Sequence, residues 1–249
     1  MIERELSDGI LTLRLAHGKA SALDVELLEA FGRELDTAGD ARAVVLTGTG
    51  SIFSAGVDLF RLTEGGSEYV RRFLPLLGTF VRKLFALPKP VVAAVNGHAI
   101  AGGGIMTLAS DYRIMAEGEG KIGVPELLVG VPFPAAPLEV VRFAVRTDRV
   151  QSLVYTGRNL TPAEALEWGL LDEVVDPAAL QSRAREVAGK LAAIPAEVFG
   201  LTKQWLRAAA LERIDRYGYS HDARALALWS APETHAHIRE YLARVVRKK

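Results

Sequence analysis

Short apolar runs dominate the first half of the chain, and longer helical patterns dominate the second half. Ile10–Leu15 alternates apolar and polar residues, as a half-buried strand does. Ala43–Thr47 and Val91–Val95 are almost continuously apolar, which is typical of strands covered on both faces. Tyr112–Ala116 is a third candidate inner strand, and residues 21–38 have the spacing of an amphipathic helix. This alternation of strands and helices predicts a layered α/β core.

From Pro177 onward the pattern is helical throughout. Periodic apolar residues predict helices over 177–193, 196–210 and Pro232–Val246. The change of pattern predicts two units, an α/β core over residues 1–190 and a helical C-terminal region over residues 191–249.

The composition is that of an ordinary globular protein and restricts the possible chemistry. Of 249 residues, 49% are hydrophobic and 24% are charged, and the formal net charge is zero, so no overall field favours nucleic acid. The absence of cysteine excludes disulfides, thiolate nucleophiles and cysteine-metal sites. The charged start is unlike a signal peptide, and no apolar stretch is typical of a membrane span. We therefore expect a cytoplasmic protein that binds neither nucleic acid nor a membrane.

Two glycine-containing turns carry the first functional signal. Residues 53–59 follow the apolar run at 43–47, and residues 101–106 follow the run at 91–97. Glycine lets the backbone approach a ligand closely, and a helix that opens behind the turn directs N–H groups at negative charge. Two such groups at one point would form an oxyanion hole. The alternative is that the glycines only permit tight packing of strand and helix, but their occurrence in a pair favours chemistry.

A lone carboxylate lies in an apolar segment. Glu126 follows Pro125 and precedes a run of leucine and valine. Because an isolated buried charge is costly, burial would raise the pKa of Glu126 toward the range of a general base. The alternative is a structural glutamate at a helix start, favoured by the helix dipole, and the local pattern alone favours this alternative narrowly.

Other motifs are weaker candidates. The glycines in 48–50 lack the third glycine of a dinucleotide-binding fingerprint. Residues 220–222 are Ser-His-Asp, but neighbours in sequence seldom form a catalytic triad. His235 and His237 face different directions on a helix and make a poor metal pair, so no metal site is expected. We interpret His98 as a hydrogen-bonded structural histidine.

An ordered set of segments resembles the crotonase superfamily, also called the enoyl-CoA hydratase/isomerase family. The similarity extends over nearly the whole chain and implies a spiral of β-β-α repeats with a helical C-terminal region. It also implies an acyl-CoA ligand and an assembly of identical subunits, a homotrimer or a hexamer. The segments that carry the resemblance are residues 21–23, 53–59, 89–97, 102–104, 111–114, 125–126, 153–158 and 163–170.

The resemblance assigns roles to both turns. It implies that the thioester oxygen lies between the backbone N–H groups of Val57 and Gly103, with Glu126 as the catalytic carboxylate. Lys19 is a candidate phosphate contact, although a solvated lysine is the alternative. No cofactor is implied, because coenzyme A is part of the substrate. The residues implied to bind coenzyme A are Lys19, Ala20, Ala22, Ala55, Gly56, Asp58 and Leu59.

The residue at position 106 separates the activities within this family. Hydratases of the family carry one glutamate at the position of Met106 and a second at Glu126, and methionine can neither activate water nor move a proton. A single glutamate with Met106, Pro125 and Phe133 around the substrate resembles the Δ3-Δ2-enoyl-CoA isomerases. We therefore expect conversion of 3-enoyl-CoA to 2-trans-enoyl-CoA. The open alternatives are a hydratase, a thioester hydrolase, a decarboxylase and a non-catalytic acyl-CoA-binding protein.

Overall fold

The computed structural model describes residues 1–246, which form two β-sheets and a set of helices around them. The strands are β1 (Ile2–Ser7), β2 (Ile10–Leu15), β3 (Ala43–Thr47), β4 (Ile52–Ser54), β5 (Val91–Val95), β6 (His98–Ile100), β7 (Tyr112–Ala116), β8 (Ile122–Gly123), β9 (Asn159–Leu160) and β10 (Glu173–Val175). The helices are α1 (Val25–Asp36), α2 (Leu59–Ala86), α3 (Gly102–Ala109), α4 (Glu126–Val129), α5 (Ala135–Ala144), α6 (Val150–Thr156), α7 (Pro162–Glu167), α8 (Leu180–Ala192), α9 (Ala196–Trp229) and α10 (Pro232–Val246).

Pairs of strands followed by a helix repeat along the chain. The large sheet has the order β1-β2-β3-β5-β7-β10, and the small sheet has the order β4-β6-β8-β9. In each of the pairs β3/β4, β5/β6 and β7/β8, the first strand joins the large sheet and the second joins the small sheet. β3, β5 and β7 are parallel neighbours, and so are β4, β6 and β8. The expected α/β class and β-β-α repeat are confirmed.

The inner strands lie where the apolar runs predict them, but the first helix is shorter than predicted. The runs at 43–47 and 91–95 are β3 and β5, whose residues are all buried. The helix predicted over 21–38 begins at Val25, because the Asp24 carboxylate accepts a hydrogen bond of 2.8 Å from the Leu27 N–H and caps the helix.

The two glycine turns follow strands of the small sheet, which corrects the expectation that they follow the long apolar runs. β4 lies between β3 and the first turn, and β6 lies between β5 and the second turn. Each of these strands has only three residues. Three residues are too few to show a strand period in the sequence.

The C-terminal region is helical, as predicted, but its helices have different bounds. The first predicted helix is a 3-10 turn at Pro177–Ala179 followed by α8, which packs against the large sheet. The second predicted helix continues past residue 210 to Trp229 as a single helix, α9. The third, α10, has the predicted bounds. The unit boundary near residue 190 stays a prediction.

No helix within residues 1–246 combines the length and the apolar character needed to cross a membrane.

A buried cluster of charged residues joins α9 to the α/β core. Lys203 and Arg207 are only 5% and 4% exposed, and both contact the carboxylate of Asp111, at 2.6 Å and 2.7 Å. The same carboxylate accepts the Val91 N–H of β5 at 2.8 Å, and Arg207 also donates to the carbonyl of Phe85. Asp111 therefore connects the long C-terminal helix to the central strand of the core.

We predict that Asp111→Asn destabilises the protein by about 3–5 kcal/mol, because it leaves two buried cations without their carboxylate. Asp215→Asn is the matched control, since Asp215 also joins α9 to the core but pairs with Arg82 at the surface. The control is expected to cost less than about 1 kcal/mol. Chemical denaturation measures the loss in the free energy of unfolding for both variants. Equal losses would show that the buried cluster contributes no more to stability than the surface ion pair.

Candidate active site

Three neighbouring strands of the small sheet bring the predicted catalytic residues to one edge. Val57 is the third residue after β4, Gly103 the third after β6 and Glu126 the third after β8. Because β4, β6 and β8 are parallel, their carboxyl ends meet at the same edge of the sheet, where ligands bind in α/β proteins. The structure therefore places all three residues at one site.

The backbone on either side of Val57 is fixed by hydrogen bonds, but the Val57 N–H is not. Leu23 forms a parallel bridge with Val57 in which its N–H donates to the Gly56 carbonyl at 2.7 Å. The Leu23 carbonyl accepts the Asp58 N–H at 2.9 Å. In a parallel bridge these bonds use the neighbours of Val57, so its own N–H points away from Leu23. No acceptor within residues 1–246 takes that N–H.

The second donor lies in the first turn of α3. The helix begins at Gly102, and its first backbone hydrogen bond runs from the Ile105 N–H to the Ala101 carbonyl at 2.9 Å. The N–H of Gly103 precedes that bond and has no acceptor inside the helix. It is thus available to a ligand, as is the Val57 N–H.

The two turns touch each other, and this contact explains both glycines. A Cβ atom on Gly103 would lie 2.3 Å from the Ser54 carbonyl oxygen. A Cβ atom on Gly56 would lie 2.6 Å from the Ile100 carbonyl oxygen, and Gly56 also has a φ of 80°. Close packing and unpaired backbone N–H groups are therefore two results of the same arrangement.

Glu126 is a buried carboxylic acid at the same edge. It is 8% exposed, begins the one-turn helix α4, and its Oε2 has no hydrogen-bond partner among the described residues. Burial raises the pKa of Glu126 to about 8, with a smaller opposing effect from its own backbone N–H. Such a group can take up and return a proton near neutral pH. Glu126 therefore fits both the expected structural glutamate at a helix start and the expected buried carboxyl with a raised pKa. It begins α4, and its Oε2 is buried without a hydrogen-bond partner among the described residues.

The sequence matches the family model described as Enoyl-CoA hydratase/isomerase over residues 5–242. The chain belongs to this family. The crotonase superfamily membership inferred from the order of the motifs is confirmed.

Relatives of this chain within the family are named for different activities. The chain is 31% identical over 253 residues to 4-chlorobenzoyl coenzyme A dehalogenase-2 of an Arthrobacter species, covering 93% of this chain and 91% of that protein. It is 28% identical over 254 residues to the mitochondrial enoyl-CoA delta isomerase 1 of Rattus norvegicus, covering 100% and 88%. The crystal structure of human mitochondrial Δ3-Δ2-enoyl-CoA isomerase has a TM-score of 0.95 at 24% identity and covers 100% of this chain and 99% of that chain, a similarity of fold.

The three residues expected to line the substrate pocket of this family member are all buried. Met106 is fully buried and lies three residues after Gly103, on the same face of α3. Pro125 precedes Glu126 directly, and Phe133 is 4% exposed in the segment between α4 and α5. Their apolar side chains carry no group that can exchange a proton.

The two segments expected to bind coenzyme A lie side by side. The Ala55 N–H donates to the Ala20 carbonyl at 3.0 Å, and the bridge between Leu23 and Val57 continues this pairing. Ala22 is partly exposed next to that bridge, and Ala55 is exposed. This strip of backbone leads from the surface to the Val57 N–H.

The remaining residues of the expected coenzyme A site differ in what their side chains do. Lys19 is exposed in the loop between β2 and α1. Asp58 caps α2 by accepting the N–H groups of Phe60 and Arg61 at 3.1 Å and 3.0 Å, so its side chain already has a structural role. Leu59 begins α2 and is partly buried.

Helix α9 holds the segment around Phe133, a contact that no pattern in the sequence predicts. The Nε2 atom of His221 lies 2.8 Å from the Phe133 carbonyl, and the indole N–H of Trp229 donates to the Pro132 carbonyl at 2.8 Å. The Asp222 carboxylate accepts the Ala135 N–H at 2.7 Å. His221 and Asp222 are therefore bound to backbone groups and do not form a triad, and their signal in the sequence was only a cluster of polar residues.

Three further histidines also contact structural groups. His98 begins β6, at the end opposite to Gly103, and its Nδ1 accepts the Lys121 N–H at 3.2 Å. His235 contacts the Trp229 carbonyl, and His237 lies against Gly130. In the part of the chain that the structure describes, no three His, Asp or Glu side chains are grouped to hold a metal ion.

We predict that Glu126→Gln becomes more stable relative to the wild type as the pH rises from 5 to 8. With a pKa raised from 4.5 to about 8, the folded wild type holds a proton that the unfolded chain loses. The free energy of unfolding of the wild type therefore falls over this window, by up to about 1.4 kcal/mol per pH unit, whereas glutamine does not titrate.

Denaturation curves at several pH values measure this difference. Glu119→Gln, at an exposed position, controls for the removal of one carboxylate. A constant difference between Glu126→Gln and the wild type from pH 5 to pH 8 would mean that Glu126 is not a buried neutral acid.

Proposed function

We propose that this protein is an acyl-CoA enzyme that converts 3-enoyl-CoA to 2-trans-enoyl-CoA. The observation that supports this most directly is a single buried carboxylic acid, Glu126, at the same sheet edge as two unpaired backbone N–H groups, with the uncharged Met106 one turn beyond Gly103. The family membership supports an acyl-CoA thioester as the substrate.

The proposed reaction uses Glu126 as its only proton carrier. Its carboxylate removes a proton from C2 of the substrate, and the electrons of that C–H bond delocalise toward the thioester oxygen to form a dienolate. The protonated Glu126 then delivers the same proton to C4, so that the double bond moves from C3–C4 to C2–C3. No atom is gained or lost, as an isomerisation requires.

The oxyanion hole would stabilise the charge that develops in this step. The N–H groups of Val57 and Gly103 would donate to the thioester oxygen, and loss of one such donor typically costs about 3–4 kcal/mol of barrier. The reactive form of Glu126 is the carboxylate, and its pKa is about 8. We therefore expect kcat/KM to rise with pH through that region.

The apolar residues at positions 106 and 133 favour isomerisation over hydration. Hydration requires one group to activate water and a second to manage the proton at C2. Met106 and Phe133 supply neither group, and their apolar side chains keep water from the dienolate. In this proposal coenzyme A lies along Ala20, Ala22 and the segment from Ala55 to Leu59, with Lys19 at a phosphate.

The first experiment compares substrates in wild type and Glu126→Gln. We expect conversion of 3-enoyl-CoA with slow hydration of 2-enoyl-CoA and no chloride release from 4-chlorobenzoyl-CoA. Glu126→Gln keeps the shape of the side chain but removes the base, so isomerisation should fall about 100-fold or more while acyl-CoA affinity is retained.

Isomerisation is measured by the absorbance of the conjugated enoyl thioester, and acyl-CoA affinity is measured by calorimetry. Met106→Glu is the complementary variant, because it adds the second carboxylate that hydration needs. Fast hydration without isomerisation in the wild type would refute the proposed activity. Unchanged turnover in Glu126→Gln would refute the role of that residue.

We also propose that the protein assembles as a homotrimer or hexamer. Trp229 at the end of α9 does not support this assembly, because it is 2% exposed and packs within its own chain. The apolar surface instead lies earlier on α9, where Leu201, Trp205 and Leu206 are 59%, 74% and 70% exposed. An exposed apolar patch of this kind is typical of subunit contacts.

We predict that light scattering gives three or six times the mass of one chain at micromolar concentration. Trp205→Asp should lower this mass by placing a charge in the contact, whereas Tyr219→Asp, at a 92% exposed position further along α9, should not. A wild-type monomer would contradict the assembly.

A further inference from the structure

Ser54 is a buried polar residue that the proposed reaction does not use. It ends β4 and is fully buried. Its hydroxyl donates to the Ser21 carbonyl at 2.7 Å and accepts the Gly56 N–H at 3.2 Å. One short side chain therefore connects the segment that precedes α1 to the first glycine turn.

The backbone of Ser54 also touches the second turn. A Cβ atom on Gly103 would lie 2.3 Å from the Ser54 carbonyl oxygen and 3.0 Å from the Ser54 Cβ. Ser54 thus lies between the turn that carries the Val57 N–H and the helix that carries the Gly103 N–H. A shift of Ser54 would therefore act on both segments that carry the donors.

The hydroxyl of Ser54 also holds a strained residue. Ser21 has a φ of 43°, in the left-handed region that residues with a side chain rarely adopt. Two residues later, Leu23 forms the bridge that fixes the backbone on both sides of Val57. The hydrogen bond to the Ser21 carbonyl therefore acts on the Val57 N–H through the Leu23 bridge.

We propose that Ser54 is a positioning residue of the oxyanion hole, whose hydroxyl fixes the Val57 N–H relative to the Gly103 N–H. This inference rests on the proposed function, because it assumes that the two N–H groups polarise a thioester oxygen. Ser54 itself does not touch the substrate. It acts through the Ser21 carbonyl and the Gly56 N–H.

The test compares Ser54→Ala with the wild type in turnover and in the polarisation of a bound thioester. We expect kcat for isomerisation to fall about 10- to 100-fold, because a displaced donor stabilises the developing charge less well. We expect KM to change by less than about threefold, since the displaced donor mainly affects the charge that develops in the transition state. The carbonyl stretch of bound hexanoyl-CoA, an unreactive saturated thioester labelled with ¹³C, should shift less from its value in water than it does in the wild type.

Ser110→Ala is the matched control. Ser110 is also a buried serine, but its hydroxyl donates to the Met106 carbonyl of its own helix at 3.1 Å and connects no other segment. We expect this variant to keep the carbonyl shift and the turnover of the wild type. Ser54→Cys keeps a similar side-chain volume and a weaker hydrogen-bond donor, so it should lose less turnover and less carbonyl shift than Ser54→Ala. It also provides the measurement if the alanine variant does not fold.

The outcomes separate the two proposals. If the wild type binds hexanoyl-CoA without any carbonyl shift, the oxyanion hole and the proposed function both fail. If the wild type shows the shift and Ser54→Ala and Ser54→Cys show the same shift and turnover, only the role of Ser54 fails. A reduced shift in the Ser54 variants but not in Ser110→Ala supports the positioning role.

Discussion

The direct contact between the two glycine turns is the constraint on which the candidate site depends. Gly103 lies against the Ser54 carbonyl, and Gly56 lies against the Ile100 carbonyl, so that neither position leaves room for a side chain. This contact is possible because β4 and β6 are parallel neighbours and end at the same level of the sheet. Two unpaired backbone N–H groups, those of Val57 and Gly103, thereby lie on turns that are in contact with each other. A donor that is part of the backbone needs little reorganisation when charge develops, which is the condition for effective electrostatic stabilisation.

The fold keeps the Glu126 carboxyl group buried at this site at a cost in stability. A carboxylic acid with an unpartnered oxygen in an apolar environment destabilises the folded state whenever it is ionised. Glu126 begins a helix of a single turn, and the segment after it is attached to α9 through Trp229 and His221. α9 is attached in turn to the core by Lys203 and Arg207 on Asp111. The C-terminal helices therefore hold the segment that follows Glu126, and burial raises the pKa of Glu126 to about 8, near neutral pH.

Much of the fold could be predicted from the sequence, because buried parallel strands are continuous apolar runs. β3 and β5 show this pattern, and β7 was predicted as a third inner strand although it contains Arg113. The ordered motifs identified the family and pointed to Val57, Gly103 and Glu126. The pattern failed at β4 and β6, where three residues show no period, and at the start of α1, where Asp24 caps the helix later than the apolar spacing indicates. The roles of the site residues stay predictions that the geometry supports.

The sequence by itself determined which chemical groups are present: one carboxylate in an apolar segment, methionine at position 106, no thiol, and glycine at two turns. Only the tertiary structure decided that the carboxylate and the two glycine turns lie at the same edge of the small sheet. The three residues after β4, β6 and β8 converge because parallel pairing aligns strand ends that are far apart in the chain. The burial of Glu126 and the connection of Ser54 to both turns likewise arise from packing between distant segments, which no local pattern can encode.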